Sequence, residues 1–167
     1  MKFFSGFCFE NESELFGEYI DNGEFCVAGF SKGAIEAFEY SLTCKERIDK
    51  LQLFSPAFFQ NQDEKFKRLQ ILSFKRDEKR YIENFLKSCT DSTKDMEKFF
   101  KKGTLEELEF LLRYKWSETS LSELKDRGIK IEVFLGSEDK IIKAKEASLF
   151  FTPFATVYLL KNRPHTL

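Results

Sequence analysis

The stretch "VAGFSKGAIEAFEY", residues 27–40, decides the fold. An apolar run leads into "GFSKG", residues 29–33, which fits the pattern G-x-S-x-G, and a helical pattern follows with Ile35, Phe38 and Leu42 on one face. Two glycines at this spacing let a buried strand turn sharply into a helix and hold the serine between them in a strained, exposed conformation. The stretch therefore predicts a strand, a tight turn that presents Ser31, and a helix.

Apolar runs elsewhere in the chain alternate with helical patterns. Four further short buried strands are predicted, at residues 2–4, at about 48–54, within 128–139 and at 155–160, and helices at residues 12–20 and 140–151. This alternation predicts an α/β fold with a mainly parallel sheet of about five strands, covered on both faces. Because only residues 8–24 separate the first strand from the strand before Ser31, we expect these two strands to pair side by side.

The middle of the chain has a different character. Residues 62–126 are strongly charged and helical in pattern, without a convincing strand. We expect this segment, here called the lid, to be inserted into a core made of residues 1–61 and 127–167. Residues 65–102 contain 12 Lys or Arg and 6 Asp or Glu, a net charge of +6, which leaves −7 for the rest of the chain.

Composition excludes several classes of protein. A chain of 167 residues that is 42% hydrophobic predicts one globular domain, and a formal net charge of −1 argues against nucleic-acid binding by the chain as a whole. The four cysteines form no C-x-x-C pair and there is one histidine, so neither a zinc site nor a disulfide framework is predicted. No apolar run is long enough to span a membrane. We therefore expect a cytoplasmic monomer with no nucleic-acid or membrane partner, no metal and no cofactor.

A serine hydroxyl is a weak nucleophile that needs a base within hydrogen-bond reach and an acid that orients this base. After a strand-turn-helix of the kind predicted here, the three groups follow along the chain in the order Ser, Asp, His. Asp139 follows the fourth predicted strand, and His165, the only histidine, follows the fifth. Both positions lie at the carboxyl edge of the sheet, where α/β proteins place their sites. Ser31, Asp139 and His165 are therefore predicted to form a catalytic triad.

Each of these three residues also has a simpler interpretation. Ser31 could be a helix N-cap without chemistry, Asp139 could cap a helix that begins near Lys140, and His165 could be an inert residue near the end of the sequence. Glu138, next to Asp139, is the alternative acid.

An oxyanion hole requires two backbone N–H groups. One is expected from the residue after the nucleophile, Lys32, and the other from a loop after an earlier strand. The loop Ser5-Gly6-Phe7 follows the first strand, so the Phe7 amide is the second candidate.

With these residues in place, the chain resembles an α/β-hydrolase, and a short one. Six stretches resemble, in the same order, the short BioV-type pimeloyl-acyl-carrier-protein methyl ester esterases of biotin synthesis: "FFSGF", "GFSKGAIEAFEY", "LQLFSPAF", "FKRLQ", "EELEFLLRYKW" and "KIEVFLGSEDKI". The resemblance covers almost the whole chain and implies a minimal α/β-hydrolase fold with Ser31, Asp139 and His165 as the triad. One departure is that the usual segment after the histidine is nearly absent.

The resemblance also implies a substrate and a partner. Members of that family cleave the methyl ester at the far end of a pimeloyl chain carried on acyl carrier protein. Because acyl carrier protein is acidic, the basic part of the lid is expected to dock it. The candidate docking residues are Lys65, Lys67, Arg68, Lys75, Arg76, Lys79 and Arg80. A solvated helix face is one alternative interpretation of these charges, and a nucleic acid could also exploit the basic segment.

Two other functions remain open at the level of sequence. The same triad would serve a thioesterase or a general carboxylesterase, because the serine chemistry is shared. A hydrolase fold without activity would instead be a binding module.

Overall fold

In the computed structural model, which describes residues 1–90 and 96–167, one parallel sheet has its strands in chain order. The strands are β1 (Lys2–Phe4), β2 (Cys26–Phe30), β3 (Lys50–Phe54), β4 (Lys130–Gly136) and β5 (Thr156–Leu160). All five predicted strands are present, and β1 pairs with β2 as predicted. The α/β fold class is therefore confirmed.

Helices connect these strands. They are α1 (Lys32–Thr43), α2 (Glu64–Arg76), α3 (Glu78–Cys89), α4 (Leu105–Arg113), α5 (Glu118–Asp126) and α6 (Ala144–Phe151), with short 3-10 helices at Glu12–Phe16 and Glu97–Phe99. Asp77 separates α2 from α3, because its side chain accepts the Arg80 amide and so caps the second helix. No helix within the described ranges is long and apolar enough to cross a membrane.

The sheet is covered differently on its two faces. Helix α1 packs on β1, β2 and β3, and α6 packs on β4 and β5. On the other face, rings stack along the sheet: the centroids of Phe16 and Phe54 lie 4.6 Å apart, those of Phe54 and Phe134 5.0 Å, and those of Phe134 and Tyr158 4.7 Å. Stacked aromatic pairs of this kind bury large apolar areas. A substantial share of the 21 phenylalanines thus forms core.

Within the lid, the described residues are helical, as the sequence indicates. Helix α2 contacts both α3 and α4, whereas α5 packs beside α1, with Leu121 and Leu124 in the main core. The division of the chain into a core and a separate lid stays a prediction.

Two helix predictions are wrong in their extent. The helix expected at residues 12–20 is a 3-10 helix that ends at Phe16, because Gln52 on β3 binds the Tyr19 carbonyl and the Asp21 amide and holds this backbone against the sheet. The helix expected at residues 140–151 begins only at Ala144. Residues 140–143 instead form a loop organised by the Asp139 carboxylate.

Candidate active site

Ser31 is the single residue between the end of β2 and the start of α1. Its backbone has φ 52° and ψ −112°, in the left-handed half of conformational space that is costly for any residue except glycine. The Ser31 amide donates to the Phe54 carbonyl at 2.9 Å, and the Ser31 carbonyl accepts from the Ala57 amide at 3.1 Å. Bonds to the last residue of β3 and to the loop after it therefore hold the strained conformation in place.

The two glycines of the motif make this turn possible. A Cβ atom on Gly33 would lie 2.1 Å from the Phe4 carbonyl oxygen, and one on Gly29 would lie 2.2 Å from the Gly33 carbonyl oxygen. No side chain fits at either position without moving backbone. The close approach explains why the pattern requires glycine on both sides of the serine.

The three predicted triad residues lie together at the carboxyl edge of the sheet. Ser31 Oγ is 3.1 Å from His165 Nε2, and His165 Nδ1 is 2.7 Å from Asp139 Oδ2. The side chains of His165 and Asp139 are fully buried. A carboxylate at Nδ1 favours the tautomer that carries its proton there, which leaves the Nε2 lone pair free to accept the serine proton.

The Asp139 carboxylate is fixed by both of its oxygens. Oδ2 accepts from the imidazole, while Oδ1 accepts from the backbone amides of Ile141 at 2.7 Å and Ile142 at 3.0 Å. Glu138 next to it is exposed. The geometry thus favours Asp139 over Glu138 as the partner of His165.

The simpler interpretations of the three residues do not describe the observed contacts. Ser31 occupies the N-cap position of α1, but its side chain makes no capping hydrogen bond. Helix α6 is preceded by Lys143 at its N-cap, so Asp139 does not cap it. His165 has no solvent-exposed surface.

The loop that carries His165 is anchored by the end of α3. The backbone amide and the side-chain hydroxyl of Thr166 both donate to the Cys89 carbonyl, at 3.0 and 3.1 Å. Carbonyls in the last turn of a helix lack partners within the helix, so this pair satisfies one of them. The Phe30 ring also lies 5.0 Å from the imidazole. Nothing in the sequence distinguishes Thr166, because its role depends on where α3 ends.

The two predicted oxyanion donors lie on neighbouring loops. The register pairs Phe4 at the end of β1 with Gly29 near the end of β2, so the loop after β1 runs beside the Ser31 turn. Phe7 lines the same cavity as Ser31, and Lys32 is the first residue of α1, where helix amides lack intrahelical acceptors. Their role as oxyanion donors stays a prediction.

The Lys32 side chain links α1 to α4. Its ammonium lies 2.9 Å from a Glu36 oxygen and 3.0 Å from a Glu107 oxygen. Burial by itself lowers the pKa of Lys32, but bonds to these two carboxylates outweigh it and the pKa is raised. Glu107 also completes a capping box with Thr104 at the start of α4.

Other reactive groups near the site do not compete with Ser31. Burial raises the pKa of the Cys8 thiol to about 12, so the thiolate needed for attack is scarce at neutral pH. Among residues 1–90 and 96–167, no group of three or more His, Cys, Asp or Glu side chains is placed to hold a metal ion.

A cavity of about 540 Å³ lies beside Ser31 and Asp139. Ser31 and Asp139 line one side, and α2, α3 and α4 supply much of the remainder. The apolar lining includes Phe7, Phe59, Phe66, Phe85, Leu108 and Leu111, and the polar lining includes Gln62, Gln70 and Asn84. A cavity with this mixed lining suits an apolar ligand that carries polar groups.

Six of the seven predicted docking residues are exposed, and Lys67 is not. Lys67 is only 6% exposed, with its ammonium 3.3 Å from Glu64 Oε1. Lys67 shares the inward face of α2 with Ile71 and Phe74, one and two turns further along, which the charge pattern alone did not reveal. The exposed residues of α2 also include Leu69 and Leu72, each 58% exposed. The docking surface considered below therefore excludes Lys67.

Comparisons of sequence find neither a matching family model nor a matching curated protein. Comparisons of structure do find neighbours. An esterase from Exiguobacterium antarcticum (EaEST) has a TM-score of 0.66 and 16% identity, over 83% of this chain and 58% of that one. BioG from Haemophilus influenzae has a TM-score of 0.62 and 12% identity over 99% and 87% of the two chains. MenH from S. aureus has a TM-score of 0.60 and 13% identity over 98% and 85%.

These neighbours define the fold class. The parallel sheet with its connecting helices agrees with them, and the chain has the α/β-hydrolase fold. It spans less than two thirds of the length of the Exiguobacterium esterase.

Proposed function

We propose that this chain is a serine carboxylesterase and that its substrate is the methyl ester of pimeloyl-acyl-carrier protein. One observation carries the proposal: the Ser31 hydroxyl lies 3.1 Å from a buried imidazole whose other nitrogen is 2.7 Å from a carboxylate. This arrangement is the one that makes a serine hydroxyl nucleophilic at neutral pH. The cavity beside it provides space for an acyl chain.

In the first half-reaction, the Ser31 oxygen attacks the ester carbonyl while neutral His165 takes the hydroxyl proton at Nε2. Asp139 keeps the proton on Nδ1 and stabilises the imidazolium that forms. The amides of Phe7 and Lys32 donate to the tetrahedral oxyanion. When the intermediate collapses, the bond to the methoxy oxygen breaks, His165 protonates this oxygen, and methanol leaves an acyl-enzyme on Ser31.

In the second half-reaction, water takes the place of the serine hydroxyl. His165 removes a proton from the water, the resulting hydroxide attacks the acyl-enzyme, and the intermediate collapses with His165 returning its proton to Ser31. The products are the free carboxylate at the end of the acyl chain and the regenerated enzyme. The thioester to the carrier stays intact.

The choice of substrate is supported by two features in addition to the resemblance of the sequence. The cavity has the apolar rings and leucines that an acyl chain would contact. The exposed basic residues of α2 and α3 would attract an acidic carrier.

The experiment that tests this function asks which bond breaks. Purified protein is incubated with methyl pimeloyl-acyl-carrier protein, and the products are followed by mass spectrometry of the carrier and by release of methanol. Loss of the methyl group with the acyl chain retained on the carrier supports the proposal. Release of the chain as a free acid with its methyl ester intact indicates a thioesterase. Hydrolysis of p-nitrophenyl acetate with no attack on the carrier substrate indicates a general esterase.

A charge-reversal variant tests the docking surface. We expect Arg68→Glu/Arg76→Glu to raise KM for carrier-bound substrate by about tenfold, because two attractive contacts to an acidic partner become repulsive. KM for p-nitrophenyl acetate should not change, since that ester needs no docking. Lys45→Glu/Lys161→Glu, which reverses two exposed lysines outside the lid, is the matched control. An equal rise in both double variants, or an equal effect on both substrates, would rule out docking on α2.

A further inference from the structure

Glu12 is a carboxylate in an unusual place. It begins the 3-10 helix Glu12–Phe16 and has no exposed surface, whereas Glu10 and Glu14 on either side of it are exposed. Its Oε1 accepts a hydrogen bond from the Gly6 amide at 2.7 Å. Its Oε2 has no hydrogen-bond partner among the residues that the structure describes. Full burial of a glutamate with an unpaired oxygen is costly, so the position calls for an explanation.

Gly6, whose amide donates to Glu12, lies directly before Phe7, a candidate oxyanion donor. Gly6 precedes Phe7, and the two belong to a tight turn in which the Phe9 amide donates to the Gly6 carbonyl at 3.2 Å and Cys8 has φ 64°. The bond from Glu12 fixes the peptide plane at one end of this turn. The orientation of the next plane, which carries the Phe7 amide, then depends on only two dihedral angles.

We propose that Glu12 is a positioning residue that fixes the loop Ser5-Gly6-Phe7 so that the Phe7 amide points at the oxyanion formed on Ser31. This inference rests on the proposed function and adds to it a residue that touches neither substrate nor triad. Oxyanion donors stabilise the transition state because they are held in place before the negative charge develops. A mobile loop would therefore weaken the stabilisation of the transition state and leave the binding of substrate unchanged.

Glu12 acts here as a hydrogen-bond acceptor. Burial is the largest influence on the pKa of Glu12 and raises it, while the Gly6 amide, the nearby Ser5 hydroxyl and the Lys32 ammonium work in the opposite direction. The contact on which the role depends is the hydrogen bond that Oε1 accepts from the Gly6 amide. Glutamine has the same shape and the same carbonyl acceptor, so it should replace glutamate here.

Three substitutions test the inference, with p-nitrophenyl acetate as substrate. Glu12→Leu removes the acceptor and should lower kcat by about 10- to 100-fold with KM within about twofold. Glu12→Gln should keep kcat within about threefold of wild type. Glu12→Asp, which is too short to reach Gly6 from the same backbone position, should lose kcat like Glu12→Leu. Glu10→Leu, an exposed neighbour, is the control.

A second measurement separates positioning from a loss of stability. The serine hydroxyl adds to the carbonyl of a trifluoromethyl ketone inhibitor and forms a tetrahedral adduct with an oxyanion. The affinity for this inhibitor should therefore fall in proportion to kcat/KM in Glu12→Leu and Glu12→Asp. Wild-type kcat in a folded Glu12→Leu variant would overturn the inference, and so would wild-type kcat in Glu12→Asp if Glu12→Leu does not fold. Equal losses in Glu12→Gln and Glu12→Leu would also overturn it. If Ser31→Ala retains activity, the proposed function fails. If Ser31→Ala is inactive and the Glu12 variants behave like wild type, the positioning role fails and the proposed function does not.

Discussion

Ser31→Ala is expected to lower kcat/KM for p-nitrophenyl acetate by about 10⁵- to 10⁶-fold, because it removes the hydroxyl that lies against His165 Nε2. The fold should survive the change. The backbone of Ser31 is held by the Phe54 carbonyl and the Ala57 amide, and neither bond uses the hydroxyl. Steady-state kinetics and a thermal melt measure the two effects separately.

Ser55 provides a matched control for this variant. Like Ser31, it directly follows a strand, β3, and has a positive φ, at 40°. Its hydroxyl is buried and has no hydrogen-bond partner among the described residues. Ser55→Ala should therefore keep wild-type kcat. A Ser31→Ala variant with more than about one hundredth of wild-type activity would show that another group is the nucleophile.

Asp139→Asn is expected to lower kcat by about 10⁴-fold without disturbing the loop around it. The asparagine carbonyl oxygen can still accept the amides of Ile141 and Ile142, as Oδ1 does now. That orientation turns the amide NH₂ toward His165 Nδ1 in place of Oδ2. The imidazole must then accept at Nδ1 and carry its proton on Nε2, where it cannot take the proton of Ser31.

Glu138→Gln is the control for the acid, since Glu138 is the neighbouring carboxylate and is exposed. It should leave kcat unchanged. The two variants together decide between the two acids that the sequence leaves open: a large loss in Glu138→Gln with little loss in Asp139→Asn would reverse the assignment.

The sheet and the serine turn are predictable from sequence because local patterns determine them. Each strand is a short apolar run. The glycines around Ser31 are required because other backbone atoms lie where a Cβ atom would be placed. The proximity of Asp139 and His165 is also predictable, since both follow strands of one parallel sheet and such strands end at one edge.

Contacts between distant segments could not be predicted in the same way. The side chain of Gln52 on β3 shortens the helix expected at residues 12–20, and a charge count does not reveal that Lys67 faces inward on α2. Glu12 accepts a hydrogen bond from the Gly6 amide, and the Thr166 hydroxyl donates one to the Cys89 carbonyl. In each case a side chain binds a backbone group of another segment. Backbone amides and carbonyls are present at every position, so no sequence pattern marks the ones that are used.

Covalent labelling with a fluorophosphonate is the most direct test of a serine nucleophile in this protein. The reagent phosphonylates an activated serine, and intact-mass spectrometry followed by peptide mapping locates the adduct. We expect one adduct per chain on Ser31, none on Ser31→Ala, and a much slower reaction in His165→Ala. An adduct on a different residue, or no adduct at all in a preparation that hydrolyses p-nitrophenyl acetate, would contradict the assignment of Ser31.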